Sequence, residues 1–134
     1  MIFASSQETD EGEAEHLTDG DPSTYWHTMY SVTMANYPHW IDFDCGEVKT
    51  IKGFSFLPRQ DSRNGLIKDY KIQVSMDGKN WGEPVMNGTF PKDLKLRKVL
   101  FTQPVKARYL RFTALNSHDG QDYATGSEFS ILAQ

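Results

Sequence analysis

The sequence predicts an all-β fold, an antiparallel sandwich or barrel. Short runs of alternating apolar and polar residues recur along the chain, the pattern of strands with one buried face. No window of about 11 residues carries a clean helical stripe. Gly, Asp and Asn cluster between the runs, as the turns of a many-stranded β fold require.

The elements follow in chain order. The opening IFASSQETDEGEAEH is acidic and polar. It lacks the apolar stretch of a signal peptide and reads as a tail at the start of an expressed fragment. Gly12 to Leu17 has room for a short turn of helix at most. Thr18 to Pro38 is a long loop with little strand character. Trp40 to Asp44 alternates and stops at Gly46, and Ile51 to Leu57 is an apolar-rich run ending at Pro58. Gln60 to Lys68 is a second long connection. Tyr70, Ile72, Val74 and Met76 alternate with polar residues before the Asp77-Gly78 turn. Val99 and Phe101 form a short alternating pair, and Leu110, Phe112 and Ala114 form a longer set. Asn116 to Gly126 is a third loop. Phe129, Ile131 and Ala133 put one apolar face on the last strand. Long irregular loops on a rigid sandwich are where binding sites usually lie.

The chain has 134 residues, which suits one domain over residues 1–134 with its own core. Hydrophobic residues make up 38%, aromatics 13%, and the net charge is −4. A broad nucleic-acid surface needs clustered cations, so nucleic acid is excluded as a partner. No run of about 18 apolar residues spans a membrane. The one cysteine, Cys45, allows no internal disulfide and lies in an alternating run as a small half-buried filler.

The loop Asp19–Tyr30, DGDPSTYWHTMY, is crowded with ligand-type side chains. Asp19, Asp21 and Thr24 supply the carboxylate, carbonyl and hydroxyl oxygens that calcium prefers, and Gly20 permits the sharp turn. An Asx turn, with both aspartates bonding backbone amides, explains the same residues without an ion. His16, His27, His39 and His118 show no zinc spacing. Trp26 reads as a core anchor. A sugar site needs an aromatic plate and polar partners. Tyr30, Tyr37 and Tyr123 are candidate plates, with His27, Arg59, Asn64 and His118 as candidate partners.

Read together, DGDPSTYWHT, YPHWIDFDCGEVKTIKGFSFLPRQD, NGLIKDYKIQVSMDGKNW, ARYLRFTAL and GSEFSIL resemble the discoidin superfamily, the coagulation factor V/VIII C-type domains. The likeness is greatest to family-32 carbohydrate-binding modules and runs from about His16 to Leu132. It implies an eight-stranded antiparallel jelly-roll β-sandwich of the galactose-binding-domain-like kind. It implies a structural calcium held by Asp19 and Thr24 with Asp21 and the His16 carbonyl beside them, and by Glu128 with the Ser127 carbonyl. It implies a sugar site of His27, Tyr30, Arg59, Asn64 and Tyr123. Many members carry Trp where Tyr30 stands, and the paired cysteines of many animal discoidin domains are absent.

The function this implies is a non-catalytic module that targets an attached glycoside hydrolase to galacto-configured glycans. Terminal galactose or N-acetylgalactosamine is the expected ligand. The expected parent is a secreted bacterial glycosidase with its catalytic domain in cis. The expected setting is extracellular, cell-surface or periplasmic, and the expected state monomeric. The alternatives are an adhesion module for proteins or membranes, a structural spacer, and a hydrolase using Asp61, Asp119 or Asp122. Met29, Val32 and Met34 are the only faint membrane-facing residues, and the net charge disfavours anionic lipid.

Overall fold

The computed structural model describes residues 2–134. It contains eight strands: β1 (Ile2–Ala4), β2 (Trp26–His27), β3 (His39–Leu57), β4 (Asp69–Ser75), β5 (Met86–Thr89), β6 (Arg97–Ala114), β7 (Thr125–Gly126) and β8 (Glu128–Ala133). Every strand pairing is antiparallel. Among the described residues, no helix is long and apolar enough to cross a membrane.

Two long strands build the sandwich. The first part of β3 pairs with β1 and with the end of β6, which pairs on with β4. A register shift between Asp44 and Lys49 turns the strand. Its second part then pairs with β8 and with the start of β6. Such irregularities bend a strand and let it serve two layers. The β3 pattern obeys the period of two: His39, Ile41 and Phe43 are buried, while Trp40, Asp42 and Asp44 are half-buried.

The two layers close on aromatic side chains. Phe54 from one layer meets Tyr70 edge-on at 5.6 Å and stacks on Phe129 at 5.1 Å. Phe56 stacks on Phe90 at 4.9 Å, and Phe43 on Phe129 at 4.5 Å. Burying each phenylalanine contributes about 1.5–3 kcal/mol, and the ring geometry adds about 0.5–1.5 kcal/mol per pair.

Several elements differ from the sequence expectation. The opening stretch is not a free tail, because Ile2–Ala4 pairs with Ile41–Phe43. The runs expected at 40–44 and 51–57 are one bent strand, as are those near 99–101 and 109–114. The expected helical turn is a 3-10 helix at Ala14–Thr18. The strand Met86–Thr89 went unforeseen. The first and third loops each contain a two-residue strand, and these pair as Trp26 with Gly126 and His27 with Thr125. Cys45 is half-buried, as expected, and burial pushes its thiol pKa up.

Candidate functional site

The β2–β7 pair clamps the first long loop to the third. Trp26 is 1% exposed, and its indole N–H donates to the Ser6 carbonyl at 3.0 Å. The next residue, His27, lies between two tyrosine rings. Tyr123 stacks on it at 5.0 Å and Tyr30 lies tilted at 4.6 Å. The imidazole Nδ1 is 2.6 Å from the Thr28 carbonyl. A carbonyl can only accept, so Nδ1 donates, and the neutral ring presents Nε2 as an acceptor. His27 is only 5% exposed, so a ligand reaches its edge and not its face. Tyr30 is 39% exposed.

A carboxylate network sets these rings in place. The segment around Glu8 lies against β2: the Glu8 N–H donates to the His27 carbonyl at 2.8 Å, and the His27 N–H to the Gly12 carbonyl at 3.0 Å. The approach is close enough that a Cβ on Gly12 would fall 2.4 Å from the His27 Cβ. Buried Glu8 accepts from the Tyr30 and Ser31 amides and the Ser31 hydroxyl. The Ser31 bonds hold its carboxyl below the usual range. Glu11 accepts from both the Tyr25 hydroxyl (3.0 Å) and the Tyr30 hydroxyl (2.5 Å). That bond pushes the Tyr30 pKa up to about 12, so the phenol stays protonated.

Arg59 joins the cluster from the end of β3. Its guanidinium lies 3.8 Å above the Tyr25 ring. Asp61 fixes its other side, accepting from Nε at 2.6 Å and Nη2 at 3.4 Å. A cation held between an aromatic face and a carboxylate is pre-ordered. Asn64 sits exposed in the next loop. Its carbonyl accepts from the Thr125 hydroxyl at 2.7 Å, which ties that loop to β7.

The structure thus brings His27, Tyr30 and Tyr123 into contact, with Arg59 alongside through Tyr25. Tyr37 and His118 turn out to be struts. The Tyr37 hydroxyl donates to the Tyr123 carbonyl at 3.0 Å, and the His118 Nε2 donates to the Phe90 carbonyl at 2.8 Å. Buried His39 does likewise, donating from Nε2 to the Asp122 carbonyl at 2.6 Å. Sequence reasoning missed Glu8, Glu11 and Tyr25. The only signal for the acids was their density in ETDEGEAE, which reads equally well as a solvated tail.

The second group of residues sits below the same loop. The Asp19 carboxylate accepts from the Thr24 hydroxyl at 2.5 Å and from the Asp21 amide at 2.9 Å. Burial pushes the Asp19 carboxyl up, but these bonds outweigh it and hold it low. The Asp21 carboxylate serves the Ser23 amide and hydroxyl, which is the Asx-turn role. The His16 carbonyl faces the Asp19 amide at 3.5 Å, and its ring donates to the Tyr25 carbonyl. The Ser127 hydroxyl bridges the Pro22 and Thr24 carbonyls at 2.7 and 2.9 Å. Glu128 closes the set with a buried Oε1 that has no hydrogen-bond partner. Burial, and then the Asp19 charge, raise its pKa.

An unsatisfied carboxylate oxygen beside a second carboxylate is what a cation would relieve. Among the described residues, no three His, Cys, Asp or Glu side chains are arranged to hold a metal. The donors here are two carboxylates with neutral oxygens, a mixture suited to calcium and not to zinc.

Comparison with known proteins agrees with this architecture. The F5/8 type C domain model matches residues 2–129. A sialidase of Micromonospora viridifaciens is 39% identical over 133 residues, covering 96% of this chain and 20% of that protein. A galactose oxidase of Gibberella zeae is 34% identical over 123 residues, covering 90% of this chain and 18% of that protein. The chain therefore spans about a fifth of each relative's length. Among solved structures, the carbohydrate-binding module CBM32-5 of Clostridium perfringens was determined with GalNAc-β-1,3-galactose. It superposes with a TM-score of 0.91 at 30% identity, covering 99% of this chain and 94% of that one.

Proposed function

The chain belongs to the F5/8 type C domain family and resembles its family-32 carbohydrate-binding modules, and from that premise we propose that residues 1–134 form a non-catalytic module for galacto-configured glycans. The observation that carries this reading is His27 held between Tyr30 and Tyr123, with Arg59 pinned beside them.

A sugar offers hydroxyls around an apolar C–H face. His27 Nε2 accepts from one hydroxyl, and the guanidinium N–H groups of Arg59 not taken by Asp61 donate to its neighbour. The exposed Asn64 side chain bonds a further hydroxyl, and Tyr30 or Tyr123 covers the C–H face. The ligand is a terminal galactose or N-acetylgalactosamine. With few contacts, the affinity is on the order of 0.1–1 mM. The catalytic alternative is weakened by Asp61, whose bond to Arg59 holds its carboxyl low, the opposite of a general acid.

Calcium fits the second group. Asp19, Glu128 and Thr24 would hold it, with the carbonyls of His16 and Ser127 and the added charge of Asp21. The ion supplies charge neutralisation there. By fixing the loop it also fixes where Trp26 and His27 emerge.

The module is part of a larger exported protein and, as a monomer, holds a glycosidase domain in cis near its glycan, extracellularly or in the periplasm. Raising local substrate concentration is its contribution. A second reading, adhesion to a protein or membrane, rests on Val32 (87% exposed) and Met34 (44%) beside Tyr30. A glycan array with residues 1–134 tests the main reading. Galactose- or N-acetylgalactosamine-terminated hits should vanish in Arg59→Ala. Silence on the array together with co-sedimentation on anionic vesicles would favour the second.

A further inference from the structure

The sugar site carries more negative charge than sugar binding requires. Glu11 bonds the Tyr25 and Tyr30 hydroxyls, and Glu8 bonds the Tyr30 amide. Asp61 neutralises Arg59. On the opposite side, Asp119 accepts from the Gly65 amide at 3.2 Å and from the Gln121 amide. The Glu8 and Asp61 carboxyls are held below their usual range and stay ionised at neutral pH. The three segments that frame the rings, SSQETDEGE, PRQDSRNGLIK and NSHDGQDYATG, hold seven carboxylates against Arg59, Arg63 and Lys68. Asp19 and Asp21 are outside that count, so calcium leaves the imbalance in place.

We propose that the site selects uncharged glycan termini and rejects anionic ones: a galacto-configured residue bearing a carboxylate or sulfate is excluded by charge. The proposal rests on the carbohydrate reading above and adds a ligand class to it. A residue carrying its own anion would face uncompensated carboxylates on both sides of His27, with the Arg59 guanidinium already paired to Asp61. An acidic cap on a galactoside must then be removed hydrolytically before this module can bind.

The test compares galactose, galacturonic acid and the methyl ester of galacturonic acid by calorimetric or NMR titration at neutral pH. The ester keeps the size of the C6 substituent without its charge. At about 10 mM salt the acid should bind at least about tenfold more weakly than its ester. The gap should close towards about 1 M salt, as the screening length falls from about 30 to about 3 Å. Asp119→Asn should narrow the acid-to-ester gap several-fold, read as the ratio of the two affinities within the variant. Equal affinities for acid and ester at low salt overturn the proposal, as does a gap that salt does not change. Failure of galactose to bind overturns the carbohydrate reading instead, and this selectivity with it.

Discussion

Replacing Glu128 by glutamine should change stability in opposite directions with and without calcium. In the metal-free chain, Glu128 Oε1 is buried without a partner and Asp19 lies beside it. A neutral amide removes the repulsion, and its N–H can donate to the Asp19 carboxylate. Relieving one unsatisfied buried acceptor is worth on the order of 1 kcal/mol, or about 3–5 °C in Tm for a domain of this size. Calcium acts the other way. At a hundredfold excess over its Kd, an ion bound only to the folded state adds about 2.7 kcal/mol, close to 10 °C. Glu128→Gln forfeits most of that increment because it removes an anionic ligand. Calorimetric melting of both proteins in chelator and in millimolar calcium, with elemental analysis to exclude retained ion, reads all four states. A variant that melts below wild type in chelator, or an equal rise of both proteins in calcium, would refute this role for Glu128.

Two further outcomes follow from the site's supports. Gly12→Ala should destabilise the protein by about 1–3 kcal/mol, since its Cβ would meet His27 at 2.4 Å and the chain must shift. Chemical denaturation measures this, and sugar affinity should fall with it. Burial lowers the pKa of His39, whose Nε2–H holds the Asp122 carbonyl of the Tyr123 loop. A base with a depressed folded pKa gives stability that is present above its unfolded value, about 6.5. That stability is lost as pH falls through the folded value. Wild-type Tm should therefore drop on acidification below pH 6.5 through this residue, and His39→Gln should flatten that part of the profile.

The strands legible in the sequence were those with several alternations, such as Tyr70, Ile72 and Val74. The bends were not legible, because the shift between Asp44 and Lys49 arises when one strand serves two layers. Met86–Thr89 has no apolar alternation to detect, and Trp26–His27 is held by its distant partner Thr125–Gly126, not by propensity. The candidate site residues were named by type and motif, and the fold then brought the rings of His27, Tyr30 and Tyr123 together. Glu8 and Glu11 escaped because local composition resembles solvent-facing chain. Backbone bonds between Glu8, Gly12 and His27 bring the segment to the site, and side-chain bonds to Tyr25, Tyr30 and Ser31 make those acids part of it.

The central claim is that His27, Tyr30, Arg59, Asn64 and Tyr123 form a galactose site. A two-dimensional amide NMR titration of residues 1–134 with galactose, and in parallel with its C4 epimer glucose, tests it most directly. Saturable shifts at His27, Tyr30, Asn64 and Tyr123, with a Kd on the order of 0.1–1 mM and glucose at least about tenfold weaker, are the predicted result. No shift at millimolar galactose, or shifts confined to another face of the sandwich, would contradict it.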